Sequence, residues 1–502
     1  MARDRRDDRS QPTLWAFTGT EAVQPPESGG GRSTDPAHEP NTPHPVRAEG
    51  LWEDVFSQAN IARALRRVER NGGAPGPDGM TTAQLRAHVE AHWPEIRSSL
   101  DRGTYRPQPV RRVQIPKPGG GMRELGVPTV LDRLICQAIL QVLTPIFDPS
   151  FCEQSFGFRP VRSAHQAVEA ARAFVQAGGT WVVDVDLERF FDRVNHDALM
   201  ARVARKVGDR QLLKLIRRYL EAGVMSDGVV IETEEGTPQG SPVSPLLANI
   251  MLDDLDHELE RRGHRFVRYA DDLRIYVGTP RAAERVLDSV NGFIERRLKL
   301  KVNRDKSGVA PFARRGLLGF GFYKRDGEVK VRIDRKAIKA VKARIRRLTA
   351  RNWGVSMAHR IGALNRFIHG WCAYFAWAET PSVFAELDQW LRRRLRQCQW
   401  KQWKRIRTRV RELVRLGIKR NQAWQWANTR RGSWRVAGSA ILQRALPTAH
   451  WEGLGLVGFS EAYGRVRAVC RQCGCEISSR YRHADYPFQS WQRQRRVPAG
   501  TD

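Results

Sequence analysis

The chain has 502 residues, and its 85 Lys and Arg exceed its 54 Asp and Glu so far that the formal net charge is +31. Such a surplus predicts a polyanionic partner, with nucleic acid ahead of an anionic membrane. No stretch approaches the roughly 18 consecutive apolar residues of a spanning helix, and no apolar signal core follows the N-terminal charges. We therefore expect neither a membrane protein nor a secreted one.

The first 100 residues predict a disordered leader and then a helical extension. Residues 1–50 hold seven prolines and almost no periodic apolar pattern, which is typical of disorder. From Leu51 to Val68 apolar residues recur at helical spacing, and this helix ends at Asn71. Helical signals return after a turn-rich loop and continue to about Leu100.

Strand patterns follow this extension. Val110, Val113 and Ile115 predict a strand, and the glycine-rich stretch after Pro116 predicts that the strand turns back as a hairpin. Helical periodicity then returns for about 20 residues from Val130. This part of the chain is thus expected to mix sheet and helix.

The middle of the chain alternates between short strands and helices. Thr180–Phe191 opens as an apolar strand that we expect to continue into a helix, and residues 229–252 indicate a strand, a loop and a buried helix. Phe266–Val277 alternates around two adjacent aspartates, which predicts two strands joined by a tight turn. A helix is expected over 282–300 and strands over 317–333, before a long helical region.

Three aspartates are candidates for a metal site. Asp186 stands at the end of the apolar strand, and Asp271 and Asp272 occupy the predicted hairpin turn. Phosphoryl transfer depends on charge neutralisation and in-line positioning, which two Mg²⁺ ions about 4 Å apart commonly supply. Mg²⁺ takes oxygen ligands. The three carboxylates therefore predict a site for two Mg²⁺ ions, although each aspartate alone would be an ordinary turn residue.

Five segments resemble group II intron-encoded reverse transcriptases of the bacterial type, and they stand in that family's order. They are the fingers segments Arg106–Ile139 and Ser155–Ala167, the first catalytic motif DLERFFD at Asp186–Asp192, the PQG-containing loop Gly236–Ile250 and the YADD hairpin Tyr269–Asp272. The resemblance covers about residues 51–445. A single YADD string would be weak support, whereas five ordered motifs are specific.

The resemblance implies a role for each matching residue at the catalytic centre. Asp186, Asp271 and Asp272 would be the metal ligands. Asp184 lies on the same strand and competes with Asp186, but the family places an aromatic pair four and five residues after its catalytic aspartate, which favours Asp186. Phe191 would lie beneath the incoming sugar and exclude a 2′-hydroxyl; the alternative is a plain core aromatic residue.

Four further residues would contact the substrate. Lys117 and Arg123 flank the tip of the predicted hairpin, where two cations can fold over a triphosphate, although a solvated basic turn remains the alternative. Gln239 resembles the residue packed near the nascent base pair. Lys306 matches a lysine proposed to protonate the leaving pyrophosphate, a role that needs hydrogen-bond reach.

A basic helical region begins near residue 335. Between Leu391 and Arg420 we count 13 Lys and Arg and a single acidic residue, and these cations favour contact with nucleic acid. For the interleaved Trp390, Trp400 and Trp403, core packing is favoured over base stacking. Leu364–Trp377 resembles the family's maturase domain, or domain X, which serves as the polymerase thumb and binds intron RNA.

The cysteines predict little further chemistry. Seven cysteines, mostly scattered, indicate reduced thiols in a cytoplasmic protein. Cys470, Cys473 and Cys475 stand near His483, but a closed zinc site needs four ligands and a second cysteine pair is absent. About 27 residues follow Cys475, too few for the HNH endonuclease that some family members carry. We expect neither a zinc site nor an endonuclease.

The predicted fold is α+β, a right-hand polymerase whose fingers and antiparallel palm sheet precede an all-α thumb or maturase domain. The expected parts are a disordered leader (1–50), a helical extension (51–100), fingers and palm (101–335), thumb and domain X (336–445) and a basic tail of unclear structure (446–502).

The predicted function is RNA-directed DNA synthesis together with binding of intron RNA that assists splicing and intron mobility. The implied partners are group II intron RNA, a DNA target and primer, and dNTPs, with a homodimer left open. Two alternatives remain: a splicing maturase without polymerase activity, and a domesticated reverse transcriptase of a defence system.

Overall fold

The computed structural model describes residues 48–116, 122–226, 229–231 and 240–472. Its helices are α1 (Leu51–Phe56), α2 (Gln58–Asn71), α3 (Leu85–Asp101), α4 (Val130–Phe147), α5 (Ala164–Gln176), α6 (His196–Val203), α7 (Arg210–Glu221), α8 (Ser244–Arg261), α9 (Pro280–Phe293), α10 (Arg335–Leu348), α11 (Met357–Phe375), α12 (Pro381–Gln402), α13 (Ile406–Arg415), α14 (Arg420–Ala427), α15 (Ser433–Ala437), α16 (Ala440–Ala445), α17 (Thr448–Gly453) and α18 (Phe459–Gln472).

The strands are short, and most of them pair in antiparallel fashion. They are β1 (Val110–Pro116), β2 (Met122–Val127), β3 (Trp181–Val185), β4 (Val224–Ser226), β5 (Val229–Ile231), β6 (Arg265–Tyr269), β7 (Asp272–Val277), β8 (Gly308–Pro311), β9 (Phe320–Arg325) and β10 (Glu328–Ile333). The mixture of helices with largely antiparallel sheets agrees with the predicted α+β class.

The described chain divides into two compact units that interleave in sequence. Unit 1 comprises the described residues within 1–152, 187–257 and 292–302, and it contains the sheet β2-β1-β4-β5. The predicted hairpin after residue 110 is observed as the antiparallel pair β1-β2. Helix α2 is amphipathic and packs its apolar stripe against α4, as its periodicity predicts.

A buried carboxylate ties the start of β1 to helix α4 within unit 1. Asp132, in the first turn of α4, accepts hydrogen bonds from the hydroxyls of Tyr105 (2.7 Å), Thr129 (2.6 Å) and Tyr219 (3.1 Å). Burial raises the pKa of Asp132, while these hydrogen bonds lower it. A buried polar group with this many partners fixes the segment that leads into the β1-β2 hairpin.

Among the described residues, one helical stretch, Val130–Ser150, which contains α4, is long and apolar enough to cross a membrane by length and composition. Asp132 and Arg133 interrupt its run of apolar residues, but its mean hydropathy still reaches that of a spanning helix. In the structure, α4 contacts α1 and α2 and buries Leu134 and Ile135 completely. It is a core helix of unit 1.

Unit 2 comprises residues 153–186, 258–291 and 303–472 among those described, and its main sheet has the strand order β6-β7-β3-β8. The predicted pair of strands around the adjacent aspartates is confirmed as the hairpin β6-β7. Strand β3 lies between β7 and β8 and is antiparallel to both. The central position of β3 explains why its residues Val182–Val185 are all buried.

One hydrophobic core joins this sheet to the helices that follow it. Val182 and Val267 from the sheet share the core with Phe320 of β9 and with Phe367 and Trp371 of α11. The segment after residue 446, for which the sequence predicts no definite structure, also contributes to this core, since α18 contacts α11 and α12. Residues up to 472 are therefore part of unit 2.

Candidate active site

The YADD hairpin turns over two residues. Tyr269 pairs with Asp272 across β6 and β7, so Ala270 and Asp271 form the turn. Ala270 has a φ of 58°, in the left-handed region, which costs a residue with a side chain roughly 1–2 kcal/mol. Such a conformation persists only where the surroundings determine it.

A neighbouring segment holds the turn in place. The N–H of Phe156 donates to the carbonyl of Arg268, and the buried guanidinium of Arg268 donates to the carbonyl of Ala270 (2.9 Å) and to the hydroxyl of Ser155 (2.7 Å). The Cα of Gly157 lies so close that a Cβ there would overlap the Ala270 nitrogen and stand 2.9 Å from the Tyr269 carbonyl carbon. This brace, residues 155–157 with Arg268, fixes the strained turn.

Asp186 follows β3 and is anchored through its backbone. Its N–H donates to the hydroxyl of Ser307 at 2.9 Å, and its carbonyl accepts from the N–H of Asn303 at 2.8 Å. The carboxylate of Asp186 is half-exposed, and the ammonium of Lys306 lies 3.7 Å from its Oδ1. Two residues expected at the catalytic centre, Asp186 and Lys306, are therefore neighbours.

Asp184 is in a different environment. Its carboxylate is buried and forms ion pairs with Arg274 and with Arg315, the latter at 2.7 Å. Burial raises the pKa of Asp184, the two arginines lower it, and the charge of Asp186 raises it. Because both oxygens of Asp184 already face arginines, Asp186 is the aspartate of this strand with a carboxylate that faces solvent.

Asp272 lies close to these charges. Its Oδ1 is 2.5 Å from Nη1 of Arg274. Burial raises the pKa of Asp272, Arg274 lowers it, and the negative charges of Asp184 and Asp186 raise it further. The strand register brings Asp186 and Asp272 together, because Val185 of β3 pairs with Leu273 of β7 and each aspartate is the next residue at that end of its strand.

The donor set fits a hard divalent cation in chemistry. Asp186, Asp271 and Asp272 offer carboxylate oxygens, the ligands that Mg²⁺ prefers, and the crowding of negative charge around Asp272 would be relieved by a cation. In the residues that the structure describes, however, no group of three or more His, Cys, Asp or Glu side chains is arranged to hold a metal ion.

Two of the other expected substrate residues, Phe191 and Arg123, belong to unit 1. Phe191 lies in a short 3₁₀ turn, Phe190–Asp192, rather than in the helix that we expected to follow β3 directly, and its ring packs edge-on against buried Phe190 at 5.2 Å. Arg189 at a φ of 46° breaks the helix before it starts. Arg123 lies on β2 opposite Ile115.

Several predicted residues cannot be placed. Lys117 and Gln239 lie outside the described residues, as do Cys473, Cys475 and His483. Cys470 falls in the last turn of α18.

The contacts of Arg274, Arg315, Ser307 and the brace with the expected catalytic residues were not predicted from the sequence. Arg274 had a usable signal, because it stands two residues after Asp272 and successive alternate residues of a strand share one face. Asp184 stands two residues before Asp186, and this spacing likewise indicates that the two aspartates share one face. Ser307 carried no such signal, since its contact with Asp186 spans 121 residues.

The helical region of unit 2 stacks arginines on its tryptophans. Trp400 and Trp403 are buried, as expected for core residues. Trp390 is half-buried, and the guanidiniums of Arg346 and Arg394 lie over its ring at 5.5 and 5.9 Å. Trp390 also packs against the core that contains Trp400 and Trp403, so the prediction of core packing is confirmed for all three tryptophans.

Two family models match the chain in succession. Residues 115–322 match the reverse transcriptase (RNA-dependent DNA polymerase) family, and residues 338–417 match the maturase-specific domain of group II introns. The first match contains Asp186, Asp271 and Asp272, and the second covers α11, α12 and α13 completely and most of α10. The order of the two matches is that of the predicted polymerase and maturase parts.

Individual proteins are similar over long stretches. Protein YkfC of Escherichia coli (strain K12) is 32% identical over a match that covers 55% of this chain and 83% of YkfC. The group II intron-encoded protein LtrA of Lactococcus lactis subsp. cremoris is 30% identical over 47% of this chain and 52% of LtrA, so the chain spans about half of LtrA. In a solved partial Cas6-RT-Cas1–Cas2 complex, one chain is 26% identical over 49% of this chain and 42% of its own length. Its TM-score of 0.33 is too low to inform the fold.

The polymerase match, the maturase match and a relative matched over most of its length agree with the ordered motifs. The chain belongs to the group II intron reverse transcriptase/maturase family.

Proposed function

We propose that this reverse transcriptase adds deoxynucleotides to a DNA 3′-hydroxyl on an RNA template at the site formed by Asp186, Asp271 and Asp272. The observation that carries the proposal is the pairing of Val185 in β3 with Leu273 in β7, which sets the solvent-facing carboxylate of Asp186 beside the braced aspartate turn of β6-β7. Two rigid elements of one sheet thus present carboxylates to the same region, as phosphoryl transfer requires.

Asp186, Asp271 and Asp272 would hold two Mg²⁺ ions. When bound, such ions neutralise the charge of the triphosphate and of the attacking 3′-oxygen. The chain's own contribution is to keep these carboxylates in position, through Ser307 and Asn303 for Asp186 and through the brace for the turn.

Lys306 is proposed to give a proton to the departing pyrophosphate. Its ammonium lies 3.7 Å from Asp186 Oδ1, and 64% of its side chain is exposed, so it can reach a phosphate that leaves the carboxylate region. Arg123 and Lys117 are proposed to contact the triphosphate, Gln239 the nascent base pair, and Phe191 the sugar of the incoming dNTP.

The helices α10–α18 are proposed to act as the polymerase thumb and to bind intron RNA. Among the described residues, the one acidic residue between Leu391 and Arg420 pairs with two of the surrounding arginines. Others stack on tryptophans, for example Arg393 at 4.2 Å from the ring centre of Trp434. A stacked guanidinium keeps N–H groups at its edge, which are donors for phosphates.

RNA binding by these helices would assist intron splicing and mobility. A cytoplasmic location is also proposed, on the evidence of the cysteines. The described cysteines Cys136, Cys372 and Cys398 are buried and form no disulfide, which is compatible with a reducing compartment.

Primer extension on poly(rA)/oligo(dT) with Mg²⁺ tests the polymerase proposal. We expect incorporation of TTP that stops when the metal is chelated. Folded protein that binds RNA but extends no primer would favour a maturase without polymerase activity.

Filter binding tests the proposed RNA partner. The labelled RNAs are the sequence that flanks the coding region and a matched RNA of equal length and unrelated sequence. Tighter binding of the flanking RNA supports the intron role. Equal binding, together with the absence of intron domains around the gene, would favour a domesticated reverse transcriptase.

A further inference from the structure

Arg274 places a built-in cation among the carboxylates of the catalytic sheet. It lies on β7, directly opposite Asp184 of β3 and two residues after Asp272, so all three share one face. One nitrogen, Nη1, contacts both aspartates, and its distance to Asp272 Oδ1 is 2.5 Å. The side chain of Arg274 is 12% exposed, whereas that of Asp272 is 34% exposed.

The hydrogen bonding of Arg274 is incomplete. Its Nε finds no hydrogen-bond partner in the described part of the chain, although it is buried. A guanidinium that binds one carboxylate with two parallel N–H groups would be more stable, and an unpaired buried donor is costly. Asp184 does not depend on Arg274 alone, because Arg315 holds its second oxygen at 2.7 Å.

We propose that Arg274 is an internal competitor of the catalytic metal: it occupies Asp272 until a divalent cation takes over that carboxylate. Arg274 is then a positioning residue that sets how much Mg²⁺ the enzyme requires. This inference rests on the proposed function, because it assumes that Asp272 is a metal ligand.

The expected effect follows from charge. A positive group at ion-pair distance from a ligand repels a divalent cation and lowers the negative potential that attracts it. At the effective dielectric of a protein site, removal of one such charge changes the affinity for the ion by about tenfold or more. Neutralisation of Arg274 should therefore tighten metal binding, whereas a residue that only orients Asp272 for the metal would weaken binding when it is lost.

The test measures metal binding directly, with Mn²⁺ as the probe and electron paramagnetic resonance of free Mn²⁺ as the readout. We expect Arg274→Gln to bind Mn²⁺ about tenfold more tightly than the unaltered protein and to need correspondingly less Mg²⁺ for primer extension. The matched control is Arg265→Gln on β6, where the arginine donates to the Ala177 carbonyl; its Mn²⁺ affinity should not change. Unchanged or weaker Mn²⁺ binding by Arg274→Gln overturns the proposal.

A second variant separates competition from damage to the fold. In Asp184→Asn, Arg274 loses one of its two carboxylate partners and pairs with Asp272 alone. Because this arginine then competes more strongly with the metal for Asp272, Mn²⁺ binding should weaken by a similar factor. Disruption of the sheet would weaken binding in both variants, so shifts in opposite directions support the proposal and shifts in the same direction contradict it.

Failure of the proposed function looks different. Asp272→Asn should abolish the tight Mn²⁺ site in every background. If that site survives Asp272→Asn, the metal assignment itself is wrong. If Asp272→Asn removes the site but Arg274→Gln leaves the affinity unchanged, the metal assignment stands and only the competition by Arg274 is refuted.

Discussion

The hydroxyl of Ser307 accepts the backbone N–H of Asp186 at 2.9 Å, across 121 residues of sequence. The same segment carries Lys306, whose ammonium faces the Asp186 carboxylate. One loop thus positions Asp186 through its backbone and also supplies Lys306, the proposed proton donor. The two side chains are therefore held close to each other.

Ser307→Ala should slow primer extension by about tenfold, because a small displacement of a catalytic group is expensive. Steady-state extension at saturating TTP measures this loss. Ser307→Thr keeps the hydroxyl and should restore most of the rate. Ser289→Ala, which removes a serine that accepts from Arg262, is the control and should leave the rate unchanged. Full activity of Ser307→Ala would show that this hydrogen bond does not position Asp186.

Gly157→Ala should impair DNA synthesis more severely than it destabilises the protein. The added Cβ would overlap the Ala270 backbone and force the catalytic turn to shift. We expect the extension rate to fall by about a hundredfold. Gly370→Ala, a helical position with open space around it, is the control and should behave like the unaltered protein in both extension and thermal unfolding. Equal rates in the two variants would contradict the role of the brace.

Phe191→Ala should relax the rejection of ribonucleotides. If the ring excludes a 2′-hydroxyl, the ratio of TTP to UTP incorporation on poly(rA)/oligo(dT) should fall by about tenfold or more. Phe190→Leu changes the buried neighbour and should leave this ratio intact. An unchanged ratio in Phe191→Ala would show that this residue is a core aromatic and does not exclude the 2′-hydroxyl.

Acidification should destabilise unit 2 through His165. This buried imidazole lies 2.7 Å from the Tyr374 carbonyl; burial lowers its pKa below 6.5, and the hydrogen bond to Tyr374 partly raises it. The unfolded chain therefore takes up its proton first as the pH falls. Stability present above pH 6.5 is lost between 6.5 and the lower folded pKa, by up to about 1.4 kcal/mol per pH unit.

Urea unfolding at pH 7.5 and 5.5, followed by tryptophan fluorescence, measures this loss. His165→Gln, which can still donate to the Tyr374 carbonyl, should show a smaller difference between the two pH values. A remainder is expected, because the pKa values of His264 and His450 are also lowered by burial. An identical pH dependence in His165→Gln and the unaltered protein would contradict this account.

Local patterns were sufficient to predict the hairpin β6-β7 and the strand before Asp186. Both predictions rest on alternation of apolar residues, which the buried sheet imposes on the sequence. The 3₁₀ turn after β3 was not predictable in this way, because Phe190 and Phe191 fit a helical pattern while Arg189 adopts a left-handed φ. Local conformation there is set by tertiary context.

The partners of the catalytic aspartates depend on strand register, which the sequence alone does not fix. Asp184 meets Arg274 only because β3 and β7 pair with that offset. The close approach of Gly157 to Ala270 is likewise a contact between segments that are distant in sequence, which no local pattern indicates. The sequence did not predict that the segment after residue 446 forms the helices α17 and α18, because short helices rely on packing rather than on their own periodicity.

The decisive experiment is primer extension by a variant in which Asp271 and Asp272 are both replaced with alanine, with RNA affinity measured on the same preparation. We expect DNA synthesis to disappear while RNA binding, assigned to the basic helices of unit 2, stays within about twofold of the unaltered protein. DNA synthesis at the original rate in this variant would contradict the assignment of the active site.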